Sequence, residues 1–119
     1  MQAAIPSAQQ IYTLYSMKFG TLDPELTTAI QRVSRDSRQV RFLEHANIEM
    51  EDDGFDQADV LACLRRGKAY GPETQNGRLR ANVLHRGLHV RVVVGGLDAA
   101  RGRWSDLMSI TVVTVMKAD

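Results

Sequence analysis

A single cysteine, Cys63, is the whole thiol content of this chain. It rules out an internal disulfide and any zinc site built on several cysteines. Cys63 sits in the apolar run Val60-Leu61-Ala62-Cys63-Leu64, so a buried, inert thiol is expected. No basic residue precedes it to lower its pKa and make it a nucleophile. Long hydrophobic stretches are missing too. No run approaches the roughly 18 apolar residues of a membrane span, and no apolar secretory segment follows Met1. A cytoplasmic protein with no membrane partner is therefore expected. Neither sign of charge prevails: 15 basic and 14 acidic residues leave a net charge of +1, so total charge carries no nucleic-acid signal. The chain also has no phosphate-binding loop, dinucleotide fingerprint, HExxH or GxSxG. Gly95-Gly96 is a lone glycine pair, and no basic recognition helix is evident. Neither a metal nor a cofactor is implied.

What is present points to one domain. The 119 residues, 44% of them hydrophobic, suffice for a small core. Charge is segregated along the chain. Between Glu44 and Asp59 there are three Glu and four Asp but no Lys or Arg; from Arg65 to Arg91 there are seven Lys and Arg and one acid, Glu73. An acidic helical segment beside a basic sheet makes a dipolar surface that could steer a charged partner. The same pattern also describes a solvated helix and ordinary polar strand faces.

Periodicity orders the elements. Ser7 to Phe19 reads as a first helix, with Ile11, Leu14, Tyr15 and Lys18 at helical spacing and Gly20 as its C-cap. A second starts at Asp23-Pro24-Glu25, where Asp23 can cap and Pro24 suits the first helical position; Leu26, Ile30 and Val33 share a face. Val40 to Asp52 reads as a short extended lead-in followed by a helix, ended by Asp53-Gly54. Asp56 caps a further helix with Asp59 as an acidic variant of a capping box, and Gly67 closes it. Thereafter the period changes from 3.6 to 2. Strands are expected at Lys68 to Tyr70 (broken by Gly71-Pro72), Arg78 to His85, Leu88 to Val94 and Leu107 to Met116. Turns fall at Asn76-Gly77 and Arg86-Gly87, and a long polar loop holding Trp104 runs from Gly95 to Asp106. Helices followed by an antiparallel meander give an α+β class.

Alternation sorts the strand faces. Leu79, Ala81 and Val83 face one way, Arg78, Arg80 and Asn82 the other. Leu88, Val90, Val92 and Val94 are core, which leaves His89 and Arg91 outward. On the last strand Ile110, Val112, Thr114 and Met116 oppose Thr111, Val113 and Val115; both faces are nearly apolar, which suggests a central strand. Set between two basic strands, it would gather Arg80, Arg91 and a threonine. Such a cluster suits phosphate, because arginine binds it in bidentate fashion and stays charged, and a nearby histidine can move protons near neutral pH. His45, His85 and His89 are the histidine candidates; Tyr70 and Thr114 join His89 as candidate substrate contacts. Plainer readings stand beside these. His45 can hydrogen-bond across a helix–sheet seam, His85 and His89 can decorate the surface, Tyr70 can pack at the rim, and Arg80 and Arg91 can belong to a solvated sheet face.

The pattern His45-Ala46, Met50, Gly54, then Val60 and Leu64-Arg65-Arg66-Gly67, then Gly71-Pro72, Arg80, Val90-Arg91-Val92-Val93-Val94 and Val113-Thr114-Val115 resembles a family of small bacterial proteins. It is the domain-of-unknown-function family related to the RelE, ParE, BrnT and MqsR toxins, and the resemblance covers about residues 40–116. It implies helices packed on a small curved antiparallel sheet, with residues 1–36 as an added pair of N-terminal helices. It implies a toxin of a toxin–antitoxin pair: a metal-independent endoribonuclease that activates the ribose 2′-hydroxyl of mRNA against the adjacent phosphate. A helix-turn-helix antitoxin is the implied partner. By carry-over His45 is the acid/base, and Arg80 and Arg91 hold phosphate. The added helices offer a homodimer contact. Two acids, Glu49 and Asp53, stand where the family usually carries basic residues. A carboxylate repels phosphate, yet one close to His45 would help it act as a base. The contrasting expectation is a non-catalytic interaction protein that binds a basic partner through the acidic helix with Glu49, Glu51, Asp52 and Asp53.

Overall fold

The computed structural model describes residues 20–118. The helix expected over Ser7 to Phe19 lies outside them. Three helices and five strands follow in the order α1 (Pro24–Ser34), β1 (Val40–Phe42), α2 (Glu44–Asp53), α3 (Gln57–Arg66), β2 (Lys68–Gln75), β3 (Arg78–His85), β4 (Val90–Gly95) and β5 (Ile110–Lys117). The class is α+β, as the switch of period predicts.

Local chemistry sets the helix ends. Asp23 accepts the Leu26 N–H at 3.0 Å and Pro24 opens α1. Asp56 and Asp59 form a reciprocal capping box at 2.8 and 3.0 Å, which starts α3. Gly54 ends α2 in the left-handed region at φ 76°. Gly67 joins α3 to β2 where no side chain fits, since a Cβ there would lie 2.5 Å from the Cys63 carbonyl oxygen and 2.6 Å from that of Leu84.

The sheet order is β1-β5-β4-β3-β2. Four strands form the expected antiparallel meander, but β1 adds to β5 in parallel, with Val40 opposite Ile110 and Phe42 opposite Val112. The sheet is therefore mixed. β5 is an interior strand, as its doubly apolar pattern suggests, but it lies between β1 and β4 rather than between the strands that carry Arg80 and Arg91, which are direct neighbours.

Helices cover one face. Leu26, Ile30 and Val33 of α1 and Val60, Cys63 and Leu64 of α3 meet Ala81, Val83, Val90, Val92, Val94, Ile110, Val112 and Val115 in one buried cluster. Burying each large aliphatic side chain contributes about 1.5–3 kcal/mol, so α1 is part of the core rather than an appendage to it. Among the described residues no helix is long and apolar enough to cross a membrane.

Four local expectations change. β2 continues to Gln75 through Gly71-Pro72, absorbing them as a register shift between Tyr70 and Glu73. β4 begins at Val90, because the β3–β4 turn takes up Leu88 and His89: His89 has φ 52° and donates its N–H to the Arg86 carbonyl. Leu88 is exposed rather than core. The Gly95 to Asp106 loop is anchored by buried Leu97 and Ala100, and β5 starts only at Ile110, after buried Leu107. The Arg32 guanidinium holds this loop to α1 through the carbonyls of Trp104, Ser105 and Leu107.

Candidate functional site

The face of the sheet away from the helices carries the charge. On β3 alternation holds: Leu79, Ala81 and Val83 are buried in the core, so Arg78, Arg80 and Asn82 point outward. Arg91 points outward from β4. On β5 alternation fails. Val94 pairs with Val112 and Val93 with Thr114, so Val113 is an extra residue. Ile110, Val112 and Val115 are core, while Thr111, Thr114 and Met116 fall on the outer side. Thr114 and Met116, which strict alternation groups with Ile110 and Val112, thus lie on the opposite face from them beyond the bulge.

Register decides which of these side chains meet. Arg91 stands opposite Leu84 on β3 and Met116 on β5. Its Nη1 donates to Asn82 Oδ1 at 3.2 Å, and its Nη2 contacts Met116 Sδ. Arg80 lies four residues from Leu84, roughly 13 Å along the strand at about 3.4 Å per residue. Arg80 and Arg91 therefore occupy opposite ends of the outer face and do not converge. Thr114 lies between them, across from Val93.

His45 is on α2, which takes over the β5 edge where β1 stops. The Leu43 N–H donates to the Val112 carbonyl at 3.1 Å, and Glu49 Oε1 accepts the Val115 N–H at 3.3 Å. His45 Nε2 lies 3.3 Å from the same Glu49 oxygen, with the imidazole 70% exposed. Glu49 thus has a structural task, pairing a strand N–H that no strand neighbour reaches.

The other histidines serve the turn. His85 Nδ1 accepts the Leu88 N–H at 3.1 Å. His89 is in the turn itself, exposed, with its carbonyl accepting from Ala118 at 2.7 Å, so it is not a strand residue beside Arg91 as expected. Tyr70 is buried with Leu84, Leu22 and Ala118 in a small second cluster on the outer side. Cys63 is fully buried, and burial pushes its thiol pKa up to about 12, only partly offset by a backbone hydrogen bond at His85.

The structure adds residues that the sequence alone does not place in the site. Arg41 of β1 pairs with Thr111 of β5, and Thr111 pairs with Gly95 of β4. Continuing the β3–β4 ladder sets Arg80 opposite Gly95, and Arg80 pairs with Glu73 of β2. One row thus runs Arg41, Thr111, Gly95, Arg80, Glu73 across the sheet. A cavity of about 350 Å³ opens on this row, lined among others by Arg78, Arg80, Gly95, Gly96, Asp98 and Thr111. The signals in the sequence are the Val40-Arg41-Phe42 alternation and Gly95-Gly96; both depend on strand order for their meaning. Among the described residues no group of His, Cys, Asp and Glu is arranged to hold a metal ion. No protein family, curated protein or solved structure matches the chain.

Proposed function

We propose that this protein binds RNA on the outer face of its sheet and acts there as a metal-independent endoribonuclease, the toxin of a toxin–antitoxin pair of the RelE/ParE-related kind. The observation that carries the reading is the set of outward arginines Arg41, Arg78, Arg80 and Arg91 on one sheet face, the first three without an ion pair among the described residues. Guanidinium groups hold phosphate in bidentate fashion and stabilise charge that develops on it. His45, oriented by Glu49, is the group that would take the proton from the ribose 2′-hydroxyl. The 2′-oxygen then bonds to phosphorus, the bond to the 5′-oxygen breaks, and that oxygen gains a proton. The products are a 2′,3′-cyclic phosphate and a 5′-hydroxyl. On this reading the protein acts on mRNA in the cytoplasm, a helix-turn-helix antitoxin restrains it, and the N-terminal segment offers a homodimer contact.

The test is inducible expression in bacteria of the wild type, His45→Ala and Arg91→Ala, following growth and RNA integrity, with purified protein assayed in chelator. Growth arrest with cleavage in chelator, lost in both variants, is expected. Intact RNA with a folded wild-type protein overturns it.

A second reading has its own observation. The last turn of α2 holds Glu51, Asp52 and Asp53 and no basic residue, against the helix dipole. Glu51 and Asp52 are exposed, and Ile48 on the same helix is 53% exposed. An interaction protein that docks a basic partner here would account for that arrangement. Charge reversal at Glu51 and Asp52 that leaves such binding unchanged would count against it.

A further inference from the structure

Several arginines among the described residues are held by protein groups. Arg32 and Arg65 donate to backbone carbonyls, Arg38 and Arg103 pair with Asp36 and Asp106, and Arg91 is bonded to Asn82. Arg41, Arg78 and Arg80, like Arg35, Arg66 and Arg101 elsewhere on the surface, make neither an ion pair nor a side-chain hydrogen bond among the described residues. Arg41, Arg78 and Arg80 share the outer face of the sheet. Arg78 and Arg80 alternate on the outer side of β3, and Arg41 lies on the same row as Arg80, three strand spacings away, about 14 Å between Cα atoms. Two extended arginine side chains can close that gap from both sides.

The ground between them is shaped by glycine. Gly95 occupies the row position between Arg80 and Thr111 and projects no side chain; a Cβ there would press on Val113 Cγ2 at 3.2 Å. Gly96 has φ 75°, and a Cβ on it would stand 3.4 Å from Thr111 Oγ1. Side chains at these two positions would fill the floor of the cavity and crowd the Thr111 hydroxyl, which makes no hydrogen bond among the described residues. Two acids border the cations without forming an ion pair with them. Asp98 turns both carboxylate oxygens to the Leu79 N–H at 3.2 Å, and Glu73 faces Arg80 across the β2–β3 pair without forming an ion pair.

We infer that this cavity is a phosphate subsite, lined by Arg78, Arg80 and the Thr111 hydroxyl as a neutral donor, with Arg41 beside Thr111 on the next strand and outside the lining, within reach of a bound anion. Its volume lies near the lower end of small-molecule pockets, roughly 300–1,000 Å³, which suits one phosphate-bearing unit rather than an extended cofactor. The subsite rests on the RNA reading for its ligand, a backbone phosphate. It adds that the strand is gripped where β3 begins and β4 ends, away from Arg91 at the start of β4.

The experiment is a nuclear magnetic resonance titration of the full chain with inorganic phosphate, with sodium chloride at equal ionic strength, and with a 2′-O-methyl oligoribonucleotide that cannot be cleaved. Phosphate is expected to move the amides of Gly95, Gly96 and Thr111 and the Nε–H signals of Arg41, Arg78 and Arg80, but not that of Arg91. Arg41→Gln and Thr111→Val, both surface changes, are expected to keep the amide dispersion of the wild type. Arg41→Gln should weaken phosphate binding about tenfold, as the loss of one charged hydrogen bond implies. It should also lower the salt slope for the oligonucleotide by about one. Shifts equally produced by chloride, or an unmoved cavity, overturn the subsite. An oligonucleotide that moves only the Arg91 end overturns the subsite and leaves the RNA reading standing. Phosphate binding in the cavity with no oligonucleotide binding supports the subsite and overturns the RNA reading.

Discussion

His45 Nε2 lies 3.3 Å from Glu49 Oε1, and that same oxygen accepts the Val115 N–H at 3.3 Å. One carboxylate ties the exposed histidine of α2 to the edge of β5 that β1 leaves uncovered. Removing it strands a part-buried N–H, which costs about 1–2 kcal/mol. Glu49→Ala is therefore expected to lower stability by that amount in urea denaturation. His45→Ala, which removes only an exposed ring, should stay within about 0.5 kcal/mol. Equal stability of Glu49→Ala and wild type would show that the carboxylate does not hold the edge.

The bulge at Val113 makes a second prediction that separates the structure from simple alternation. Val115 is 0% exposed and Thr114 lies on the outer side. Val115→Ala should cost about 2 kcal/mol, between the usual Ile→Val and Leu→Ala losses. Thr114→Ala should cost no more than about 0.5 kcal/mol. Unbroken alternation would reverse that order, and thermal denaturation of the pair decides between them.

Cys63 gives a pH signature. Its folded pKa of about 12 exceeds the 9.0 of an unburied thiol because burial disfavours the thiolate. Between those values the folded chain keeps a proton that the unfolded chain has lost. This contribution to stability is therefore intact below about pH 9 and changes as pH rises toward 12, costing about 1.4 kcal/mol per pH unit. Cys63→Ala should show a shallower loss across that window than wild type, measured as the difference between the two denaturation curves. Parallel curves would mean that the thiol ionises as freely in the folded protein as in the unfolded one.

Much of the fold can be read from short-range signals. Asp23-Pro24, the Asp56–Asp59 box and Gly54 mark helix ends through interactions spanning a few residues, and the structure uses each as expected, whereas Gly67 closes α3 in extended conformation, where no Cβ fits between Cys63 and Leu84. The Arg78 to His85 strand matches for the same reason: its alternation is uninterrupted. His89 falls outside the expected strand because a turn of four residues and one of two differ only in which hydrogen bonds close. Here His85 Nδ1 takes the Leu88 N–H and extends the turn. The outward direction of Thr114 depends on the inserted Val113, which a period of two cannot reveal.

The candidate site divides along the same line. Residue types, helix caps and the alternation of β3 are set by neighbours in the chain, so Arg78 and Arg80 are recognisable as outward cations from the sequence alone. Which cations share a row depends on strand order and register. The parallel addition of β1 to β5 brings Arg41, 70 residues from Thr111 in sequence, to its side, while Arg80 and Arg91, on neighbouring strands, end up at opposite ends of the face. Contacts of that kind arise from long-range pairing, driven by burial of the opposite face of the sheet, and burial carries no information about which polar side chains it will bring together on the exposed one.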